Sequence, residues 1–270
     1  MPSSWNASLD LRYEAAAGRT VVARRHDGPL QVQKALYPEG DAVCHTIVVH
    51  PPGGIAGGDT LAIRAACGPQ AHALLTTPGA TRWYKADGRR ATQSIRLDIA
   101  GRLEWLPQEA IVFDHASVDS TIELTLRTNA ATIGWDMIAL GRKASGETFQ
   151  HGEFVQTIRL SADDQLLWSE RTRILGGDML LDSPVGLGGN PVFGCMWAYG
   201  PVWSEGDLDS VRAGLPRAAA VTLLAPRLLL ARALGANTTT VRDALQTAWQ
   251  RARPLTFAGR DAVAPRIWST

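Results

Sequence analysis

Ser120-Thr-Ile-Glu-Leu-Thr-Leu-Arg127 alternates without a break: Ile122, Leu124 and Leu126 fall on one face, and Thr121, Glu123 and Thr125 on the other. A period of two belongs to a half-buried β-strand and not to a helix. Working outward, the same unit recurs, a run of alternating or β-branched residues closed by a Gly, Pro, Asn or Asp cluster. Ser8–Tyr13, Thr20–Arg25, Thr46–His50, Thr60–Ala66, His72–Thr76, Ser94–Ile99, Ala131–Leu140, Glu153–Leu160 and Gln165–Arg171 all read as strands. Glycine-rich loops at Gly176-Gly177-Asp178 and Gly186-Leu-Gly-Gly-Asn190 then precede a further strand, Val192–Tyr199. Beyond it the pattern changes. Leu208 to Leu215 suits a short helix, Ala219–Leu224 with Arg227–Leu234 a hairpin, and Val241, Ala244, Leu245, Ala248 and Trp249 fall at helical spacing. Asn237 or a following Thr caps that helix and Pro254 is expected to stop it. The fold class is therefore mainly β with a few helices, one near the C-terminus. No boundary divides the chain, which reads as one domain over 1–270 with a helix-containing C-terminal part from about 204 to 270.

Composition narrows the function. Of 270 residues 45% are hydrophobic and 20% charged, and 27 Lys and Arg against 26 Asp and Glu leave a net charge of +1. Such a chain folds without staples and has no overall field to hold a phosphate backbone or an anionic membrane, so nucleic acid is not an expected partner. The most apolar segment, Leu223 to Leu234, is interrupted by Pro226, Arg227 and Arg232 and is too short to span a bilayer. Three dispersed cysteines, Cys44, Cys67 and Cys195, without a C-x-x-C pair, point to a reducing cytoplasm and not to a disulfide framework or zinc ribbon. Nine tryptophans can anchor either a core or an interface.

The strings that invite a chemical reading mostly fail on their own terms. Gly53-Gly-Ile-Ala-Gly-Gly58 has the glycine spacing of a phosphate loop, but Asp59 stands where that motif needs Lys, and a strand follows where it needs a helix. A tight crossing between strands, with Asp59 inward or at a rim, is the better reading. His45, His50, Asp59, Cys67 and His72 lie close in sequence without a recurrent ligand spacing, so satisfied structural histidines are favoured over a closed metal cage. Asp114-His115 near Ser117 lacks a nucleophile elbow and cannot form a triad from neighbouring strand positions. Glu104 and Glu109 keep alive a β-rich hydrolase or carbohydrate-active enzyme using paired carboxylates, although five residues apart on one strand they would face opposite sides. More generally, Glu104, Glu109, Asp114, Asp136, Glu147 and Glu153 sit beside apolar or glycine positions instead of in solvated runs. Buried carboxylates need ion-pair partners or a polar passage to line.

Longer blocks carry more. His50-Pro-Pro-Gly-Gly-Ile-Ala-Gly-Gly-Asp-Thr60, Thr76-Thr-Pro-Gly-Ala-Thr-Arg-Trp-Tyr-Lys85, Glu104-Trp-Leu-Pro-Gln-Glu109 with Ile111-Val-Phe-Asp114, Trp135-Asp-Met137, Leu140-Gly-Arg142, Gly146-Glu147 and Pro265-Arg-Ile-Trp-Ser-Thr270 resemble, in order, the blocks of the UreD (UreH) family of urease accessory proteins. Nearly the whole chain is covered. Arg82, where the family often has Lys, and Ala110, where it often has Thr, are small departures.

The resemblance implies an elongated stack of β-sheets, β-helix-like or sandwich-like. It also implies a non-enzymatic maturation scaffold or chaperone that binds apo-urease and, with UreF and UreG, supports nickel insertion, UreG supplying the GTP hydrolysis. No cofactor is expected to bind stably, nickel being held only in transit. Weak carboxylate and imidazole ligands suit transit better than a Cys/His cage, so Asp59, Glu109, Asp114, Asp136, Glu147 and Glu153 are expected along a polar route or at its rims, with Arg142 as a structural partner for one of them. Exposed tryptophans and the C-terminal helix are expected to meet partner proteins.

Overall fold

The computed structural model describes residues 4–269, so residues 1–3 and 270, included in the single-domain reading and the closing sequence block, lie outside the described residues. The chain opens with two antiparallel pairs, β1 (Asn6–Ala16) with β2 (Arg19–Asp27) and β3 (Gln31–Leu36) with β4 (Val43–Val49). It then winds through β5 (Gly54–Ile55), β6 (Thr60–Cys67), β7 (His72–Thr76), β8 (Thr81–Trp83), β9 (Ala91–Ile99), β10 (Arg102–Trp105), β11 (Ala110–Val112), β12 (Ser117–Leu126), β13 (Ala131–Leu140) and β14 (Glu153–Ala162). Each turn of this winding adds one strand to each of two facing sheets. The first sheet runs β15 (Gln165–Leu175), β14, β12, β9, β6, β1, β2, and every pair from β1 to β14 in it is parallel. In the second, β4, β7, β10 and β13 are parallel, and β16 (Val192–Tyr199), β18 (Leu228–Gly235) and β17 (Ala219–Ala225) extend it antiparallel. The short β5, β8 and β11 form a parallel third face.

In-register stacking explains why the alternation repeats. Leu9, Ile63, Ile95, Ile122 and Ile158 pair in one inward row across β1, β6, β9, β12 and β14, and Leu11, Ala65, Leu97, Leu124 and Leu160 in the next. All ten are buried. Each inward side chain covers its equivalent one coil away, so the coil has no stable length of one and the stack folds as a unit. Between the sheets Gly134 makes room for an indole, because a Cβ there would lie 2.3 Å from Trp197 Cζ2.

Strand β13 is buried on both faces, and its second face is covered by α2 (Thr238–Thr256), against which α1 (Glu205–Arg212) packs. Asn237 caps α2, accepting the Thr240 N–H at 2.9 Å. Pro254 does not stop the helix as expected. It lies within the last turn, where its fixed φ is compatible and only one hydrogen bond is lost, and the helix runs to Thr256 with Phe257 N–H donating to the Arg253 carbonyl. The tryptophans, which the sequence left open between core and interface, fall mostly in the core: Trp83, Trp105, Trp135, Trp168, Trp197, Trp203 and Trp249 are buried, Trp268 is half-buried, and Trp5 is exposed.

Candidate functional site

Across β6, β9, β12 and β14 the inward rows of the first sheet are apolar except at one level. Gln93, Ser120 and Gln156 pair in register across β9, β12 and β14, one step before the Ile95–Ile122–Ile158 row. They therefore point between the sheets, where apolar side chains would be the ordinary choice. Opposite them on β13 stands Asp136. Its Oδ2 accepts a hydrogen bond from the Gln156 amide and its Oδ1 accepts the Met137 N–H at 3.1 Å. Burial outweighs these two bonds and raises the carboxyl from 3.8 to about 6.

These polar groups line an interior cavity of about 210 Å³, room for several waters at roughly 30 Å³ each. His50 Nε2 and Trp105 Nε1, on residues of the same lining, are buried without a protein partner, as expected of groups that face water. Burial also draws the His50 imidazole below its usual range, against the opposing pull of Asp59. The cavity reaches exposed Pro78 and Gly79 at one end. A second cavity of about 550 Å³ shares Asp136, Ile138 and Gln156 with the first and reaches exposed Arg217 and Ala218. Glu170, ion-paired with Arg232, and Cys195 line this second space. Burial pushes the Cys195 thiol up to about 12, so it is not a thiolate at neutral pH. The Asp136–Gln156 pair thus stands where two cavities that open at different surfaces meet.

Of the six carboxylates expected along a route, only Asp136 lines this interior space. Asp59 is buried and accepts the Trp5 and Ala56 N–H groups, both at 2.8 Å, pinning the glycine-rich crossing ahead of β6. Glu109 pairs with Arg242 of α2, and Glu153 sits between Arg90 and Arg173. Glu147 pairs with Arg142 at 2.6 Å, the structural role expected of that arginine, and borders a separate cavity of about 290 Å³. Asp114 accepts the backbone N–H groups of Gln150 and His151 on Oδ1, while Oδ2 faces the imidazoles of His151 at 3.2 Å and His115 at 3.5 Å.

Glu104 is fully buried in a different place, under α2. It accepts from Trp249 Nε1 at 2.8 Å and from Arg253, and lies 2.9 Å from His72 Nε2. Arg253 also reaches Glu39, which pairs with His45 at 2.7 Å. Burial alone would raise the Glu104 carboxyl, but His72 and Arg253 outweigh it and hold it at about 2. Glu104 and Glu109 thus lie on different segments, each with its own arginine, and neither lines the two interior cavities. Nothing in this arrangement pairs them as acid and nucleophile across a substrate. His45 and His72 are structural histidines, as the sequence suggested, His45 paired with Glu39 and His72 with Glu104 through Nε2, although His72 Nδ1 is buried without a partner.

Fold and site together define a parallel β-coil scaffold with a polar core level and a separate buried charge network beneath its C-terminal helix. The family described as UreD urease accessory protein matches residues 6–269. The chain is 49% identical over 271 residues to the urease accessory protein UreD of Pseudomonas paraeruginosa (99% of this chain, 96% of the relative). It is 47% identical to that of Nitrosococcus oceani (100% and 92%) and 42% identical to that of Methylobacillus flagellatus (98% and 95%). The chain belongs to the UreD family of urease accessory proteins, which are maturation factors and not enzymes. None of its described helices is long and apolar enough to cross a membrane.

Proposed function

We propose that the chain binds apo-urease together with UreF and UreG and supports nickel delivery to the urease active site along the interior polar passage. The observation that carries this reading is the polar level Gln93–Ser120–Gln156 facing Asp136, set between apolar inward rows of β9, β12 and β14 where two cavities meet. A carboxylate and two amides offer hard, exchangeable oxygen ligands, and the ionised Asp136 supplies the one negative charge a passing dication needs without the affinity that would trap it. Asp59, Glu109, Glu147 and Glu153 are assigned to holding the rims, since each already has backbone or arginine partners. Nickel is cargo in this account, with no resident cofactor.

Co-expression of apo-urease, UreF, UreG and this chain tests the reading. Asp136→Asn and Gln156→Leu should lower nickel content and urease activation while the complex still co-purifies. Full activation with both variants would overturn it.

A further inference from the structure

The turns at Asp114–Ala116 and at Gln150–Gly152 are fastened backbone to backbone. His115 N–H donates to the His151 carbonyl at 3.0 Å, and Glu153 N–H donates to the Ala116 carbonyl at 2.9 Å. A Cβ on Gly152 would lie 2.2 Å from that Ala116 carbonyl, so only glycine permits the approach. The third turn, at Gly176, presses on His151 in the same way. On this rigid base the imidazoles of His115 and His151 stack face to face, 4.3 Å between centroids at 6°. His115 holds a left-handed backbone, φ 65°, a conformation glycine adopts more cheaply. The fold thus retains an imidazole, at some backbone cost, just where it faces a second imidazole and a carboxylate.

We propose that Asp114, His115 and His151 form a surface binding site for one borderline divalent transition-metal ion, of the nickel, copper and zinc class. Their three donor atoms lie within 4.8 Å of one another. Ligands about 2.0–2.1 Å from a common ion stand roughly 2.9–3.4 Å apart when adjacent and ~4.1 Å when opposite. Asp114 Oδ2 lies 3.2 Å from His151 Nδ1 and 3.5 Å from His115 Nε2; the parallel ring planes of the stack cannot both contain one ion, so binding turns the exposed imidazoles out of the stack until both lone pairs converge beside Oδ2. The carboxylate is already aimed, because the two backbone N–H groups on Oδ1 leave Oδ2 toward the imidazoles, the orienting role that outer partners play at metal sites. Both histidines are exposed, so water fills the remaining positions and the ion exchanges readily. Two imidazoles with one carboxylate select against magnesium and calcium, which take all-oxygen sets. This site lies apart from the interior passage and does not depend on it.

The test is equilibrium dialysis of the untagged full-length chain against NiCl2, with His115→Gly and His151→Ala compared. His115→Gly removes the ligand while relaxing the backbone, so the variant keeps its fold, which a thermal melt checks. The wild type should hold one equivalent of nickel that His115→Gly and His151→Ala each weaken by about tenfold or more. Excess magnesium should leave that equivalent in place, and cobalt bound to the wild type should give a visible d–d spectrum that both variants lose. Unchanged nickel stoichiometry and affinity in the two variants, or displacement of the ion by magnesium, would overturn the proposal.

Discussion

Asp136→Asn tests the physics of the polar level directly. The carboxyl stands at about 6 in the fold against an ordinary 3.8. At 1.36 kcal/mol per tenfold, that gap sets a ceiling of about 3 kcal/mol against the folded protein at neutral pH. The sign follows from the direction. A raised carboxyl pKa means the ionised form is disfavoured on folding, so the penalty is absent below 3.8, grows between 3.8 and 6, and is complete above. Asparagine keeps an oxygen for the Met137 N–H and can turn its amide to Gln156. The variant should therefore be more stable than wild type at pH 7 by about 1–3 kcal/mol, the lower end reflecting water in the cavity. For a chain of this size that is about 2–4 °C in melting temperature per kcal/mol. Differential scanning of both proteins from pH 4 to pH 8 reads it: the curves should nearly coincide at pH 4 and separate by pH 6.5. A difference that does not change with pH, or a variant less stable at pH 7, would refute the reasoning. Paired with the activation assay, the expected result is a more stable protein that matures urease less well, the mark of a charge kept for work and not for folding.

The buried network should behave in the opposite way. Glu104→Gln leaves the buried Arg253 with Glu39 as its one remaining carboxylate and should cost toward the low end of about 3–5 kcal/mol, seen as a lower melting temperature or loss from the soluble fraction; an unchanged melt would contradict the ion-pair account. Because Glu104 is held at about 2 against an ordinary 4.5, its contribution is complete above pH 4.5 and drains as pH falls toward 2, so acid should erase the difference between Glu104→Gln and wild type. Gly134→Ala should drive a methyl into Trp197 and cost about 1–3 kcal/mol or more, with Trp197→Leu partly restoring the double variant; an additive pair would argue against the contact. Ile122→Ala removes an interior member of the Leu9-to-Ile158 row and should lower stability by about 2–5 kcal/mol in denaturant titrations.

Much of the fold was readable because a half-buried strand writes its faces into alternate residues. The long strands fell where alternation put them, and the hairpin of β17 and β18 and the helix α2 followed from local signals. What the pattern could not carry was pairing partner and direction, since a parallel coil and an antiparallel meander give the same alternation. The two- to four-residue strands β5, β8, β10 and β11 are too short to show a period, and β3, Gln31-Val-Gln-Lys-Ala-Leu36, reads as polar because only Val32 is buried. The candidate site was half legible. Asp136 stood out as an acid within an apolar strand. Gln93, Ser120 and Gln156 were missed, although Ser120 shares the parity of Ile122, Leu124 and Leu126, and a polar residue on a buried parity was the available signal. His151 was missed because no spacing links it to Asp114; only the stacking of turns across coils brings them together. Glu109 and Glu153 drew notice by their apolar neighbours, yet their arginine partners lie 20 to 133 residues away, beyond any local reading, whereas Glu147 pairs with Arg142 only five positions before it.

In the coil, equivalent side chains on neighbouring strands repeat at the hydrogen-bonding separation of ~4.8 Å. Gln93, Ser120 and Gln156 are therefore stepping stones of uniform stride along the long axis, laid by the main chain and indifferent to which side chains occupy them. Substitution on this level can change how firmly each stone grips, but the distance between stones is beyond the reach of any point mutation.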